Sequence, residues 1–411
     1  MSSVPIPEEI LHEVLLRLPL ESVSKFRCVC KQWNSLLSNP SFVKNHFDLA
    51  VQNEKPNFIL VIDVENGYKI IRVNQDSLLS CEPDSDCGCE PDSECGCECC
   101  DEGSYLRYPF QQLQSREVTI LGVCDGLLCL LTGGMDEEET PDIICFWNPK
   151  TEEYKKLPNP PSEFSCGVQI VENNSDYGFY YDCSIEDYKL IKMVAISGES
   201  TRLGVQIYSL RSNSWKNSEK FIPYKSSSLQ RSSGVLVNRA LHWLLITPRN
   251  RTSNIIVSFN TCDEGFADLA LPEAVENKDV TIELGKLDGC LCLLVGSLGD
   301  RADLWVMQKY GVKQSWTKIF TTTKELIVDN NIMSNAMPIC RYKSGEILMP
   351  NLEGFVLYDP KCDKAKLITI RDICGASEVN QVESYIESLV SLSSFTYVGQ
   401  HDIMEDISQE N

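Results

Sequence analysis

Residues 122–158 read GVCDGLLCLLTGGMDEEETPDIICFWNPKTEEYKKLP. The stretch opens with a strand pair, 122–131. An aromatic-centred strand around Trp147 follows, runs into a polar turn and returns as a further strand. Short apolar, β-branched runs bounded by turn residues, with little helical periodicity, mark an all-β segment.

The same unit recurs downstream. VQIYSLRSNSWKNSEKF centres on Tyr208, IIVSFNTCDEGFADLALP on Phe259, DLWVMQKYGVKQSWTKI on Trp305 and FVLYDPKCDKAKLITI on Tyr358. From Trp147 onward these aromatics are separated by 61, 51, 46 and 53 residues. Most units are preceded by another strand pair: YKLIKMVAI, GVLVNRALHWLLI, LGKLDGCLCLLV and YKSGEILMP. A single small sheet cannot bury both faces, whereas a ring of such sheets can. Three or four strands repeated about every 50 residues therefore predict a kelch-type β-propeller. Five units lie within 120–370. NFILVIDVENGYKIIRV (57–73) supplies strands of another blade, and YIESLVSL (385–392) alternates as a strand that would close it. The expectation is about six blades, with the repeated aromatics as blade cores.

The first fifty residues differ. Pro7 suits a first helical turn, and Glu8 and Glu9 complement the helix dipole. Ile10, Leu11, Val14, Leu15 and Leu18 form one stripe, which Pro19 ends. Ser22 is the predicted cap of a second helix, whose Val23, Phe26, Cys30, Trp33 and Leu37 share a face. Asn39-Pro40 ends it, and Ser41 caps a short third helix through Phe47. Three helices make a marginal core. From spacing alone, the apolar surface is either an interface with a partner or packed on the downstream domain.

The net charge is −22, of which residues 81–102 contribute nine acidic residues with no Lys or Arg. The remainder from 103 carries −12. Such a body disfavours nucleic acid and favours a basic partner, or simply keeps the chain soluble. No apolar run approaches the ~20 residues of a membrane span, and the N-terminus lacks a basic region typical of a signal peptide. The expectation is a cytoplasmic or nuclear protein, with most of its 20 cysteines as thiols. Seven of these lie in the octapeptide repeat CEPDSDCGCEPDSECGCECCDE. Its spacing is not that of a zinc site. A solvated low-complexity loop and a soft-metal or redox element both remain open, and no metal ligand set or cofactor is assigned. The domain plan is 1–50, 51–80, the insert 81–102, 103–395 and an acidic tail 396–411.

PEEILHEVLLRLPLESVSKFRCVCKQWNSLLSNPSF (7–42) resembles the F-box family. GVCDGLLCLL followed by FWNPKTEEYKKLP, together with YGFYYDCSIEDYKLIKM, VQIYSLRSNSWK and LWVMQKYGVKQSWTKI, resembles the F-box-associated domain of plants. The ending YIESLVSL is similar to S-locus F-box proteins and to wider relatives. The likeness implies a non-catalytic substrate receptor of a Skp–cullin–F-box ubiquitin ligase. Its F-box would dock the Skp adaptor, and through it cullin, and its β domain would bind a protein target. By motif position, the implied adaptor-facing residues are Pro7, Ile10, Leu11, Leu18, Pro19, Val23, Val29, Cys30 and Trp33. Phe26 and Leu37 would instead hold the helices together.

No GxSxG, HExxH or phosphate-loop motif occurs. The histidines His12, His46, His242 and His401 are scattered, and His242 in ALHWLL reads as structural. Candidate target-binding loops are 132–142, 159–167, 173–187, 246–254 and 297–303, whose polarity fits exposed connections. Two other readings remain: an F-box scaffold acting outside a ligase, and a metal- or redox-responsive protein governed by the cysteine repeat.

Overall fold

The computed structural model describes residues 8–393, apart from 54–55, 65–66, 76–77, 79–103, 114–115, 135–141, 165–166, 198, 220, 228–231, 248–252, 277–279, 297–300, 324–336, 353 and 371–375. Pro7, the cysteine-rich insert and the acidic tail lie outside these residues.

Four helices, not three, open the described chain: α1 Glu8–Leu16, α2 Leu20–Phe26, α3 Lys31–Leu37 and α4 Pro40–Asn53. The predicted second helix is broken at residues 27–30, because Cys30 is extended (φ −160°, ψ 165°) and caps α3. Its apolar spacing continues through the break because both pieces bury residues, Leu20 and Val23 in α2 and Leu37 in α3. Pro19, not Ser22, precedes α2. α3 stops at Leu37, just ahead of Asn39-Pro40 as expected, and Pro40 itself begins α4, as suits a residue with no N–H to satisfy. The Asn39 side chain accepts the Ser41 N–H at 2.9 Å.

Among the described residues the rest forms six sheets in a closed ring. Blade 2, for example, is a meander of Arg116–Cys124, Leu127–Gly134, Ile143–Trp147 and Tyr154–Lys156. Blade 3 runs from Ile170–Asp182 to Ser214–Asn217, blade 4 from Val235–Val237 to Phe266–Leu269, blade 5 from Thr281–Leu287 to Trp316–Thr323 and blade 6 from Cys340–Arg341 to Lys364–Thr369. The five predicted aromatics, Trp147, Tyr208, Phe259, Trp305 and Tyr358, all fall in the third strand of their blades. All but the half-buried Trp305 are essentially inaccessible. Six principal apolar clusters fill the gaps between adjacent blades, including the gap between the last and the first.

Closure differs from the expectation. Ala376–Tyr385 pairs with Asn57–Val64 and supplies the first strand of blade 1. Residues 386–392, predicted as that strand, leave the sheet and run as an irregular strap. Gln381 joins blade 1 to blade 2, its side-chain oxygen accepting the Ile120 N–H and its amide donating to the Ile120 carbonyl, both at 2.8 Å.

The two ends of the ring are unlike. Hairpins between first and second strands, and between third and fourth, all return at one end. Residues Asp125-Gly126, Asn238-Arg239 and Asp288-Gly289 each make a two-residue turn with positive φ at both positions, the geometry that matches strand twist. The longer hairpins place Glu152, Asn213, Glu264 and Asp363 in the left-handed region. At the opposite end lie the loops between second and third strands and the crossovers between blades. The chain enters blade 1 from α4 and leaves it into the strap at the hairpin end.

Candidate functional site: the helical module and its seat

The helices sit on the hairpin end and share one core with blades 2 and 3. Leu15, Leu16, Leu20, Val23, Leu37, Phe42 and Val43 pack in the same cluster as Leu121, Leu127, Tyr188 and Leu210. Burial of this apolar face, each full side chain contributing about 1.5–3 kcal/mol, is what orders so small a helical unit. His46, itself buried, faces the Leu18 carbonyl at 2.9 Å and ties α4 to the end of α1.

Polar contacts fix the orientation. Lys44 on α4 donates to Asp125 at the tip of the first blade 2 hairpin (3.0 Å), and Tyr188 of blade 3 donates to the same carboxylate (3.1 Å). The Lys44 ammonium also lies 5.2 Å from the Tyr181 ring centroid. Burial pulls the Lys44 pKa down, but Asp125, joined by Asp48 and Cys124, outweighs this and the net shift is upward. The Arg27 guanidinium donates twice to the Leu37 carbonyl (2.8 and 3.2 Å), closing α3, and reaches the strap at Leu389 O (3.5 Å). Burial lowers the Arg27 pKa, with Glu153 opposing.

The strap is held from below. Asn148 donates to the Ser388 and Val390 carbonyls (3.1 and 2.8 Å), and Glu153 accepts from the Ser391 hydroxyl and the Leu392 N–H (both 2.8 Å). Glu387 pairs with Arg72 and Lys150. A Cβ on Gly126 would stand 2.5 Å from the Ser388 hydroxyl, so hairpin and strap are in direct apposition. A cleft of 360 Å³ remains at this joint, lined by Arg27, Lys44, Glu153, Tyr181 and Tyr188 among others.

The opposite face of the helices is open. Ile10 is 55% exposed, Val14 53% and Val29 62%. Pro19 and Cys30 are also exposed, while Leu11, Leu18 and Trp33 are half-buried. Phe26 stacks edge-on against Trp33 at 5.3 Å. Val23 is completely inaccessible and points into the shared core. In this arrangement it supports the helices and presents nothing to a partner. Val14 is the exposed residue that the motif carry-over passed over; its i,i+4 relation to Ile10 was the available signal.

The sequence-predicted target loops divide between the ends. The described residues of loops 132–142, 159–167, 246–254 and 297–303 fall at the end away from the helices; the remaining residues of these loops lie outside the described ones. Segment 173–187 is mostly strand, Ile170–Asp182, and its hairpin lies at the helix end beside Tyr181 and Tyr188. His242 is buried between the Val235 carbonyl (3.0 Å) and the Tyr310 hydroxyl (2.8 Å), and burial lowers its pKa. Among the described residues, no group of three or more His, Cys, Asp or Glu side chains is placed to hold a metal.

A four-helix module seated on a closed six-bladed propeller, with its outer face apolar and open, defines a two-module binding protein. The F-box domain family matches residues 6–45, and the F-box associated beta propeller domain family matches residues 103–398. The chain belongs to this family of F-box proteins. It is 28% identical to F-box protein CPR1 of Arabidopsis thaliana over 94% of this chain and 88% of that one. An F-box/kelch-repeat protein of the same plant is 28% identical over 77% of this chain and 79% of its own length.

Proposed function

We propose that this protein is the non-catalytic substrate receptor of a Skp–cullin–F-box ubiquitin ligase. The outer helix face docks the Skp adaptor, and the propeller end away from the helices binds the protein target. The observation that carries this reading is the asymmetry of the helical module. Its inner face is consumed by the propeller, while the large apolar side chains of Ile10, Val14 and Val29 are left exposed. Exposed apolar patches of this kind mark protein interfaces. The proposed interface also takes in exposed Pro19 and Cys30 and the outer parts of Leu11, Leu18 and Trp33, which pack their other sides on the shared core. The target end is assigned by elimination of the crowded hairpin end, together with the crossovers between blades found opposite, since recognition loops are usually carried on such connections.

The test is titration of a purified plant Skp adaptor into the wild-type protein and into an Ile10→Asp, Val29→Asp double variant. A loss of at least ~100-fold in affinity is expected, since two desolvated contacts near the centre of an interface commonly contribute that much. Equal binding by the two proteins would remove this face from consideration.

A further inference from the structure

Two thiols meet across a blade boundary. Cys183 lies in the hairpin that follows Ile170–Asp182 of blade 3, and Cys262 lies in the hairpin that follows Asn254–Asn260 of blade 4. They are 79 residues apart in the chain, both are exposed, and their sulfurs are 3.5 Å apart. The pairing is held by its surroundings. Lys189 donates to Asp182 (2.8 Å) in one hairpin and to Glu264 (2.6 Å) in the other, so a single ammonium bridges the same two turns. Below them Tyr180 of blade 3 packs edge-on against Phe259 of blade 4 at 5.6 Å. Cys183 neighbours Asp182, which also accepts the Ser184 N–H (2.9 Å), and Cys262 donates its N–H to Asn260 (2.9 Å). Each turn is therefore locally fixed while its sulfur stays in solvent.

We propose that Cys183 and Cys262 form a modification site, a reversible disulfide that staples blade 3 to blade 4, made by exchange with a small-molecule disulfide such as oxidised glutathione. One cysteine thiolate attacks a glutathione sulfur, the glutathione S–S bond breaks, and one glutathione leaves as a thiolate that takes up a proton. The second cysteine thiolate then attacks the mixed disulfide at the protein sulfur and expels the second glutathione. Two protein thiols are oxidised, one glutathione disulfide is reduced to two thiols, and the two protons pass from protein to glutathione. The sulfurs must approach by roughly 1.5 Å to reach bonding distance, a movement two exposed hairpin tips can make. Sharing a hydrogen with Cys183 raises the pKa of Cys262, so exchange should quicken as pH rises. The link closes a long loop, the case in which a disulfide constrains the unfolded chain most.

The reduced full-length protein should be incubated with oxidised glutathione at pH 8, alkylated, and digested without reduction for peptide mapping. A Cys183–Cys262 cross-link is expected in most molecules, with a rise in Tm of about 5 °C. That rise should disappear in Cys262→Ser, whose reduced form should melt with the reduced wild type. Glutathione adducts or free thiols at both positions would overturn the proposal. So would cross-linking of either residue to Cys28, Cys30 or Cys362 at equal yield, or a cross-link that leaves Tm unchanged.

Discussion

One end of the propeller is closed by tight turns, apart from the connection from Asn74 to Ser104 that also belongs to it, and the other carries the crossovers between blades. The proposed division of labour follows this difference. At the hairpin end the backbone returns through two-residue turns such as Asp125-Gly126, whose positive φ values leave no slack. Tight turns make a rigid and level surface. A four-helix unit can be seated there through Lys44, Arg27 and a strap pinned by Asn148 and Glu153. At the other end the blades are joined by crossovers, such as 157–164 and 270–276, that are longer than these turns. The comparison teaches that one end is built to hold the helical module, leaving the other for the proposed target.

The inner and outer faces of the helices give the largest test of that contrast. Val23→Asp should destabilise the protein by ~4 kcal/mol or more in urea denaturation, because it leaves an unpaired charge in the shared core. Val29→Asp, on the open face, should stay within about 0.5 kcal/mol of wild type. If the two behaved alike, the seat would be misassigned.

A smaller effect separates two glycines. Gly126, at the hairpin end, has φ 77°, and a Cβ there would collide with the Ser388 hydroxyl and, at 2.8 Å, with the Ile386 carbonyl. Gly167, at the far end, has φ 76° with nothing within 4 Å. Both alanine variants incur left-handed strain of about 1–2 kcal/mol. Gly126→Ala should lose at least ~1 kcal/mol more through displacement of the strap, measured as a difference in denaturation midpoints at equal m-value. Equal losses would show that hairpin and strap are not in close apposition.

The smallest effect concerns pH. Burial raises the Glu283 carboxyl on the first strand of blade 5 to about 7. The folded state therefore holds this proton more tightly than the unfolded one, and the stability it contributes is present below about 4.5 and lost as pH rises toward 7. Glu283→Gln should be more stable than wild type by roughly 1–2 kcal/mol at pH 8, after discounting for solvent, and about equal at pH 4.5. A pH-independent difference would contradict the burial of this group.

Much of this architecture was legible in the chain. The aromatic third strands announced themselves at Trp147, Tyr208, Phe259, Trp305 and Tyr358 because each blade must bury one large residue against its neighbour. The closing strand did not. Ala376–Tyr385 reads ASEVNQVESY, too polar to stand out, since its Gln381 serves a blade-to-blade hydrogen bond rather than a core. The more apolar YIESLVSL attracted the assignment, but Leu389, Val390 and Leu392 are buried by the seat rather than by pairing in a sheet. In the helices, spacing located the apolar face and could not show which side of it was covered. The motif resemblance set Val23 and Val29 side by side as adaptor-facing residues, and only the propeller packed against Val23 separates them.

The division of the two ends is tested most directly within a single blade. A photo-crosslinking amino acid can be placed at exposed Arg301, on the far end of blade 5, or at exposed Asp288, on its hairpin end. Each full-length protein would be irradiated in plant cells with the proteasome inhibited, and captured proteins tested for ubiquitin. The account predicts ubiquitinated partners cross-linked from Arg301 and none from Asp288. Capture of such partners from Asp288 alone would contradict it.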